Sequence, residues 1–173
     1  YHPVKNFTTG EGGAVLSNDI EIINKLSEIR DLGIKRVFSK KNHLWYYEMN
    51  DLGFNFRLNE ISCALGISQI SKLDNFIKKR RLIAKKYFDY LNNKNLILPK
   101  TLKDRISSYH IFNLRYAFKN QKQKNNFFKN MLEKKIKLQV HYIPIYKHPY
   151  YKKLFKKFKL ENAEKYYLET FSI

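Results

Sequence analysis

Residues 53–91, GFNFRLNEISCALGISQISKLDNFIKKRRLIAKKYFDYL, carry the longest helical pattern in the chain. Asn59 or Ser62 is placed to cap a helix in which Ile61, Ala64, Leu65 and Ile70 are expected to face a core. Around Ser71-Lys72 the pattern bends or restarts. A second helix follows, with Leu73, Phe76, Ile77, Leu82, Ile83 and Tyr87 turned inward. Two helices in series on one side of a polar, proline-bearing connector suggest the edge of one domain and the start of another.

That connector is residues 92–101, NNKNLILPKT, and it sets an expected boundary: a first domain over 1–91 and a smaller one over 92–173. Beyond it, SSYHIFNLRYAF (107–118) alternates polar and apolar residues like a half-buried strand. KNNFFKNMLEKKI (124–136) reads as an amphipathic helix, and KLQVHYIPI (137–145) as a strand stopped by Pro144. Strand, helix and strand together make a small α/β domain. The tail, residues 150–173, reads as amphipathic helix and stops within an apolar phrase.

Upstream of the long helical pattern, GAVLS (13–17) is a short apolar run between glycines and Asn18-Asp19, as expected of a buried strand ending in a turn. Asp19 then caps a helix with Ile22, Ile23, Leu26 and Ile29 at helical spacing, and Gly33 closes it. Residues 34–52 hold no sustained period and read as a long irregular loop around Trp45-Tyr46-Tyr47.

The chain has 34 Lys and Arg against 15 Asp and Glu, a formal charge of +19. Such an excess would release counterions from a nucleic-acid backbone, so a basic nucleic-acid-binding or interaction module is one reading. Against it, the lysines spread over nearly every segment, with no arginine-rich stripe to read bases. The bias has the look of an A/T-rich genome. The apolar fraction of 43% argues for a folded protein. No apolar run reaches the roughly 18 residues of a membrane span. The first residues lack the basic and apolar regions of a signal peptide, and Cys63 has no partner for an internal disulfide. The expectation is a soluble cytoplasmic protein.

The five histidines, at 2, 43, 110, 141 and 148, show no spacing that would place two metal ligands on one helix face, so no metal is expected. Gly10, Gly12 and Gly13 precede a predicted strand rather than a helix, which rules out a dinucleotide-binding loop. Lys5 differs from the other lysines in its neighbourhood. It follows Pro3 and precedes the small residues Thr8, Thr9 and Gly10, a setting that suits a lysine held by rigid backbone for Schiff-base chemistry. His141 sits at a predicted strand end, where a polar site and a structural histidine are equally open readings.

HPVKNFTTGEGGAVLSND (2–19) together with GFNFRLNEISCALGISQISKLDNFIKKR (53–80) resembles the DegT/DnrJ/EryC1/StrS sugar aminotransferases. QVHYIPIYKHPYYKKL (139–154) and NAEKYY (162–167) are similar to the C-terminal region of the same family. The resemblance implies an α/β fragment of a pyridoxal-phosphate-dependent fold-type I enzyme: the end of the large domain and most of the small one. It implies Lys5 as the Schiff-base lysine and proton carrier, and Asn55 as the amide that reaches the cofactor phosphate of a partner subunit. Arg57, His141 and Tyr142 match positions near the interface or the sugar nucleotide.

Within the family the motifs are most similar to the members of the pseudaminic acid pathway. These imply glutamate as amino donor, C4 of a UDP-linked 4-keto-6-deoxy sugar as acceptor, and a homodimer. One departure is Leu32, where many relatives carry a histidine before the glycine. Family members run to roughly twice this length, a size typical of two domains. The chain therefore looks like a C-terminal half. The ring-stacking aromatic, the acidic partner of the pyridine nitrogen and a phosphate-binding hydroxyl would lie upstream of Tyr1. The fragment alone is then expected to be inactive, and a non-functional gene remnant is a further alternative.

Overall fold

The computed structural model describes residues 1–35, 43–92, 95–155 and 158–173. They form two compact units, Tyr1–Leu73 and Asp74–Ile173. The expected boundary lay after Leu91. The division falls earlier because the helix before it carries Ala84, Tyr87 and Phe88, which pack with Phe112 of the second unit.

In the first unit, α1 (Ile20–Arg30) begins where Asp19 accepts from the backbone N–H groups of Glu21 and Ile22, as the capping pattern predicts. It ends in two left-handed residues, Leu32 (φ 67°) and Gly33 (φ 70°), and the Gly33 N–H returns to Glu28 O at 2.8 Å. Gly33 also lies against the backbone of Asp51 and Gly53, so close that a Cβ on either glycine would collide with main-chain atoms. The chain thereby doubles back: β1 (Ile34–Lys35) pairs antiparallel with β2 (Glu48–Met49), and residues 54–56 run beside the end of α1. The irregular loop expected over 34–52 thus contains a short strand pair, and its residues 36–42 lie outside the described residues.

Asn59 caps α2 (Glu60–Ile70) by accepting from Ser62 N–H at 2.9 Å. The expected core positions of α2 are open instead: Ile61 is 84% exposed and Ile70 55%. GAVLS is not a strand either, and Leu16 is 90% exposed. Among the described residues nothing offers that segment a neighbouring ladder, and a strand exists only through its partner's hydrogen bonds.

The second unit owns the core. α3 (Leu73–Tyr90) starts after the break predicted at Ser71-Lys72, though Leu82 and Ile83, expected inward, are more than half exposed. Three strands pair antiparallel in the order β3 (Leu96–Ile97), β4 (Asn113–Tyr116), β5 (Thr170–Ser172). The expected connector therefore supplies an edge strand, and its residues 93–94 lie outside the described residues. α4 (Gln121–Glu133) is capped by Asn120, whose side chain accepts from Gln123 N–H at 3.0 Å.

KLQVHYIPI does not form the expected strand. Only Gln139 exchanges backbone hydrogen bonds with Ser172, at 2.8 and 3.1 Å. Pro144 then leads into a 3-10 turn, Ile145–Lys147, and a short helix, α5 (Pro149–Leu154). The tail forms α6 (Glu161–Glu169) and then β5 rather than one helix, and its residues 156–157 lie outside the described residues. Ala84, Phe112, Leu114, Phe118, Leu138 and Phe171 make the buried cluster between α3, the sheet and α4. No helix among the described residues is long and apolar enough to cross a membrane.

Candidate active site

The Lys5 loop is a closed backbone ring. The Tyr1 nitrogen donates to Gly12 O at 2.6 Å, while Tyr1 O accepts from the Thr8 hydroxyl at 2.7 Å and from Thr9 N–H at 3.2 Å. Within the ring, Lys5 N–H donates to His2 O at 3.0 Å, and Gly10 N–H donates to Thr8 Oγ1 at 2.9 Å. Phe7 packs on the Tyr1 ring at 4.7 Å. These bonds fix the backbone of Lys5 while leaving its side chain exposed.

Thr9 anchors the ring to α2. It is 4% exposed, and a Cβ on Gly66 would come within 2.9 Å of its methyl group. Gly66 is thus the place where α2 lets the Lys5 loop approach. Gly12, at φ 138°, is similarly tight, since a Cβ there would meet Thr9 Oγ1 at 2.9 Å and Leu58 Cδ1 at 3.0 Å. The sequence marks Thr8, Thr9 and Gly10 as crowding behind Lys5, whereas the role of Gly66 in receiving Thr9 was missed. A small residue within an apolar helix was the available signal.

Asn55 and Arg57 are brought together. Arg57 Nε donates to Asn55 Oδ1 at 3.1 Å, and both sit beside Asp31, which is bridged to Asn55 through the backbone. Asp31 Oδ1 lies 3.5 Å from Arg57 Nε, and its other oxygen accepts from Arg30 at 2.9 Å. Asp31 was missed from sequence, where attention fell on its neighbour Leu32. Phe54 and Phe56 stack on each other at 4.8 Å with nearly parallel rings, the alternation expected of extended backbone. Nearby, Lys25 donates to Asp51 at 2.6 Å, and that bond leads the causes holding the Asp51 carboxyl below its ordinary range.

His141 and Tyr142 belong to the second unit, whereas Lys5, Asn55 and Arg57 belong to the first. His141 Nε2 lies 2.7 Å from Ser172 Oγ, and its buried Nδ1 has no hydrogen-bond partner among the described residues. Tyr142 is 71% exposed and meets the His141 ring edge-on at 4.9 Å. Among the described residues no three His, Cys, Asp or Glu side chains gather as a metal site would require.

The model of the DegT/DnrJ/EryC1/StrS aminotransferase family matches residues 1–173. Among curated proteins, a UDP-4-amino-4,6-dideoxy-N-acetyl-beta-L-altrosamine transaminase of Campylobacter jejuni is 38% identical over all of this chain and 45% of its own length. Its counterpart in Helicobacter pylori is 34% identical with the same two coverages. Among solved structures, Helicobacter pylori PseC, an aminotransferase involved in the biosynthesis of pseudoaminic acid, matches with a TM-score of 0.86 and 33% identity. That match covers 96% of this chain and 44% of PseC. The chain spans a little under half the length of these curated relatives.

Proposed function

Because this chain belongs to the DegT/DnrJ/EryC1/StrS aminotransferase family, we propose that it supplies the Schiff-base lysine and the C-terminal part of a pyridoxal-phosphate-dependent nucleotide-sugar aminotransferase. The family and the α/β fold-type I architecture expected from the two motifs are borne out. The reaction proposed for the whole enzyme is transfer of an amino group from glutamate to C4 of a UDP-linked 4-keto-6-deoxy sugar. It is a ping-pong reaction in a cytoplasmic homodimer with shared active sites. The observation that carries this reading is Lys5, exposed on a loop that is closed by hydrogen bonds to or from Tyr1, Thr8 and His2.

The residues present suit the cofactor. A primary amine on a fixed backbone meets the aldehyde, and the Asn55 amide offers N–H donors suited to phosphate oxygens. The tight turn at Gly12 and the Thr9–Gly66 contact hold that amine in place. When bound, the cofactor would supply an electron sink for loss of the proton at the amino-bearing carbon. Lys5 would then hold and return the proton at that carbon, and Asn55 would orient the phosphate end of the cofactor bound to the partner subunit. His141 and Tyr142 are proposed to lie near the anionic sugar nucleotide.

Borohydride reduction of the whole enzyme in the presence of pyridoxal phosphate should label one peptide, at Lys5, and Lys5→Ala should abolish the label. Labelling that persists in Lys5→Ala sinks the assignment. The 173-residue chain alone is proposed to be inactive, because the relatives carry more than half of their length elsewhere. A stable visible absorbance band on adding pyridoxal phosphate to it, lost in Lys5→Ala, would overturn that part. The +19 charge keeps nucleic-acid binding as a second reading, favoured only by retention on nucleic acid at physiological salt beyond that of an equally charged protein.

A further inference from the structure

Asn55 and Arg57 project from the same side of an extended segment, because side chains alternate along it. The segment is fixed by its backbone: Phe54 N–H donates to Ile29 O at 2.7 Å, and Phe56 N–H to Arg30 O at 3.0 Å. Arg57 Nε donates to Asn55 Oδ1 at 3.1 Å, and Asp31 flanks the same Nε at 3.5 Å while Arg30 holds the other Asp31 oxygen. A guanidinium has five N–H donors and no acceptor, whereas a carboxamide has one acceptor oxygen and one NH2 group. The guanidinium therefore accepts only one orientation of the amide. A half-turn of the amide would set NH2 against N–H and lose the bond.

We propose that Arg57 is a positioning residue: steadied by Asp31, it fixes the flip of the Asn55 amide so that Nδ2 faces away from the protein as a donor to the cofactor phosphate. This role replaces direct contact of Arg57 with phosphate or substrate. It rests on the reading of Asn55 as a phosphate donor. Without Arg57 the amide samples both flips, and only the nitrogen face can donate to a phosphate. Asp31 matters because it keeps the guanidinium beside the amide rather than in solvent, where an Arg side chain gains rotamer freedom.

The test is a double-mutant cycle in the whole dimeric enzyme, read as the dissociation constant of pyridoxal phosphate. Asn55→Ala should weaken binding roughly tenfold or more, as expected for loss of a hydrogen bond to a charged group. Arg57→Ala should weaken it about twofold, since about half of the amides then present the wrong face, and the double variant should be no weaker than Asn55→Ala. Arg57→Lys, still donor-only, should recover part of the loss. Binding of pyridoxal, which lacks the phosphate, should be unchanged in every variant.

Losses that multiply in the double variant, no loss in Arg57→Ala, or an equal loss for pyridoxal each overturn the proposal. Borohydride labelling keeps the two claims apart. An enzyme labelled at Lys5 with multiplying losses sinks only the role of Arg57, whereas an enzyme that takes up no cofactor sinks both.

Discussion

The two compact units solve the problem of holding a shape in different ways. In the second, Phe112, Leu114, Phe118 and Phe171 are each 5% exposed or less, and aromatic rings from α3, α4, β5 and the residues flanking β4 meet edge-on or tilted. In the first, no hydrophobic side chain among the described residues is buried. Its buried residues are Thr9, Gly33 and Gly66, all at points of close approach. The second unit is held by burial of apolar area, worth about 1.5–3 kcal/mol for each fully buried large side chain. The first is held by main-chain hydrogen bonds and by glycines that let backbone meet backbone. The comparison teaches that, among the described residues, apolar packing is concentrated in the second unit, while the Lys5 loop and the Asn55 segment are tied by backbone contacts.

The largest expected effect is on hydrogen exchange. Amides of β4 should exchange at least about a hundredfold more slowly than those of α2, because α2 is apolar yet open to water. Comparable protection in both would break the contrast. Next, Phe171→Ala should destabilise the second unit by about 3–5 kcal/mol in urea unfolding and leave the exchange of the Lys5 loop unchanged. A parallel change in the loop would mean that the units stand or fall together.

Lys124 gives a third test. It is 2% exposed, and its ammonium donates to Tyr167 O at 2.5 Å and Thr170 O at 3.0 Å, tying α4 to the end of α6. Lys124→Met should cost about 1–3 kcal/mol, since two buried carbonyls lose their donor. Burial lowers the Lys124 pKa to about 8 from 10.5. Between those values the unfolded chain binds more protons, so the wild type should gain stability relative to Lys124→Met as pH rises from about 8 to 10.5. A difference that stays flat or shrinks over that window would contradict the burial of the charge.

The smallest effect concerns Leu32, a non-glycine residue at φ 67° with its side chain 41% exposed. Leu32→Gly should stabilise the first unit by about 0.5–1 kcal/mol, read as a rise in melting temperature, because glycine enters the left-handed region without a Cβ clash. A fall would mean that the leucine side chain contributes packing that outweighs the strain.

Helices were the most legible elements. Asp19 and Asn59 were capping candidates, and both cap; the break at Ser71-Lys72 falls between α2 and α3. These features depend on neighbours within a few residues. Strands were less legible: GAVLS has the composition of a strand and no ladder, while Thr170–Ser172, expected to be helical, pairs with β4. A strand is completed by a distant partner, and composition does not say whether one is there. Lys5 and Asn55 stood out by local motif, whereas Asp31 and Gly66 did not, since their roles come from contacts with Arg57 and Thr9 far along the chain.

By itself, then, the sequence determined the family and the helix caps at Asp19 and Asn59, and it singled out Lys5 as the lysine proposed to react, because each is written in short-range spacing or in a motif. Only the tertiary structure decided which unit has a core, where the long α3 helix belongs, and which way the Asn55 amide faces. Those depend on burial and on donor–acceptor matching between residues that the chain brings together from a distance.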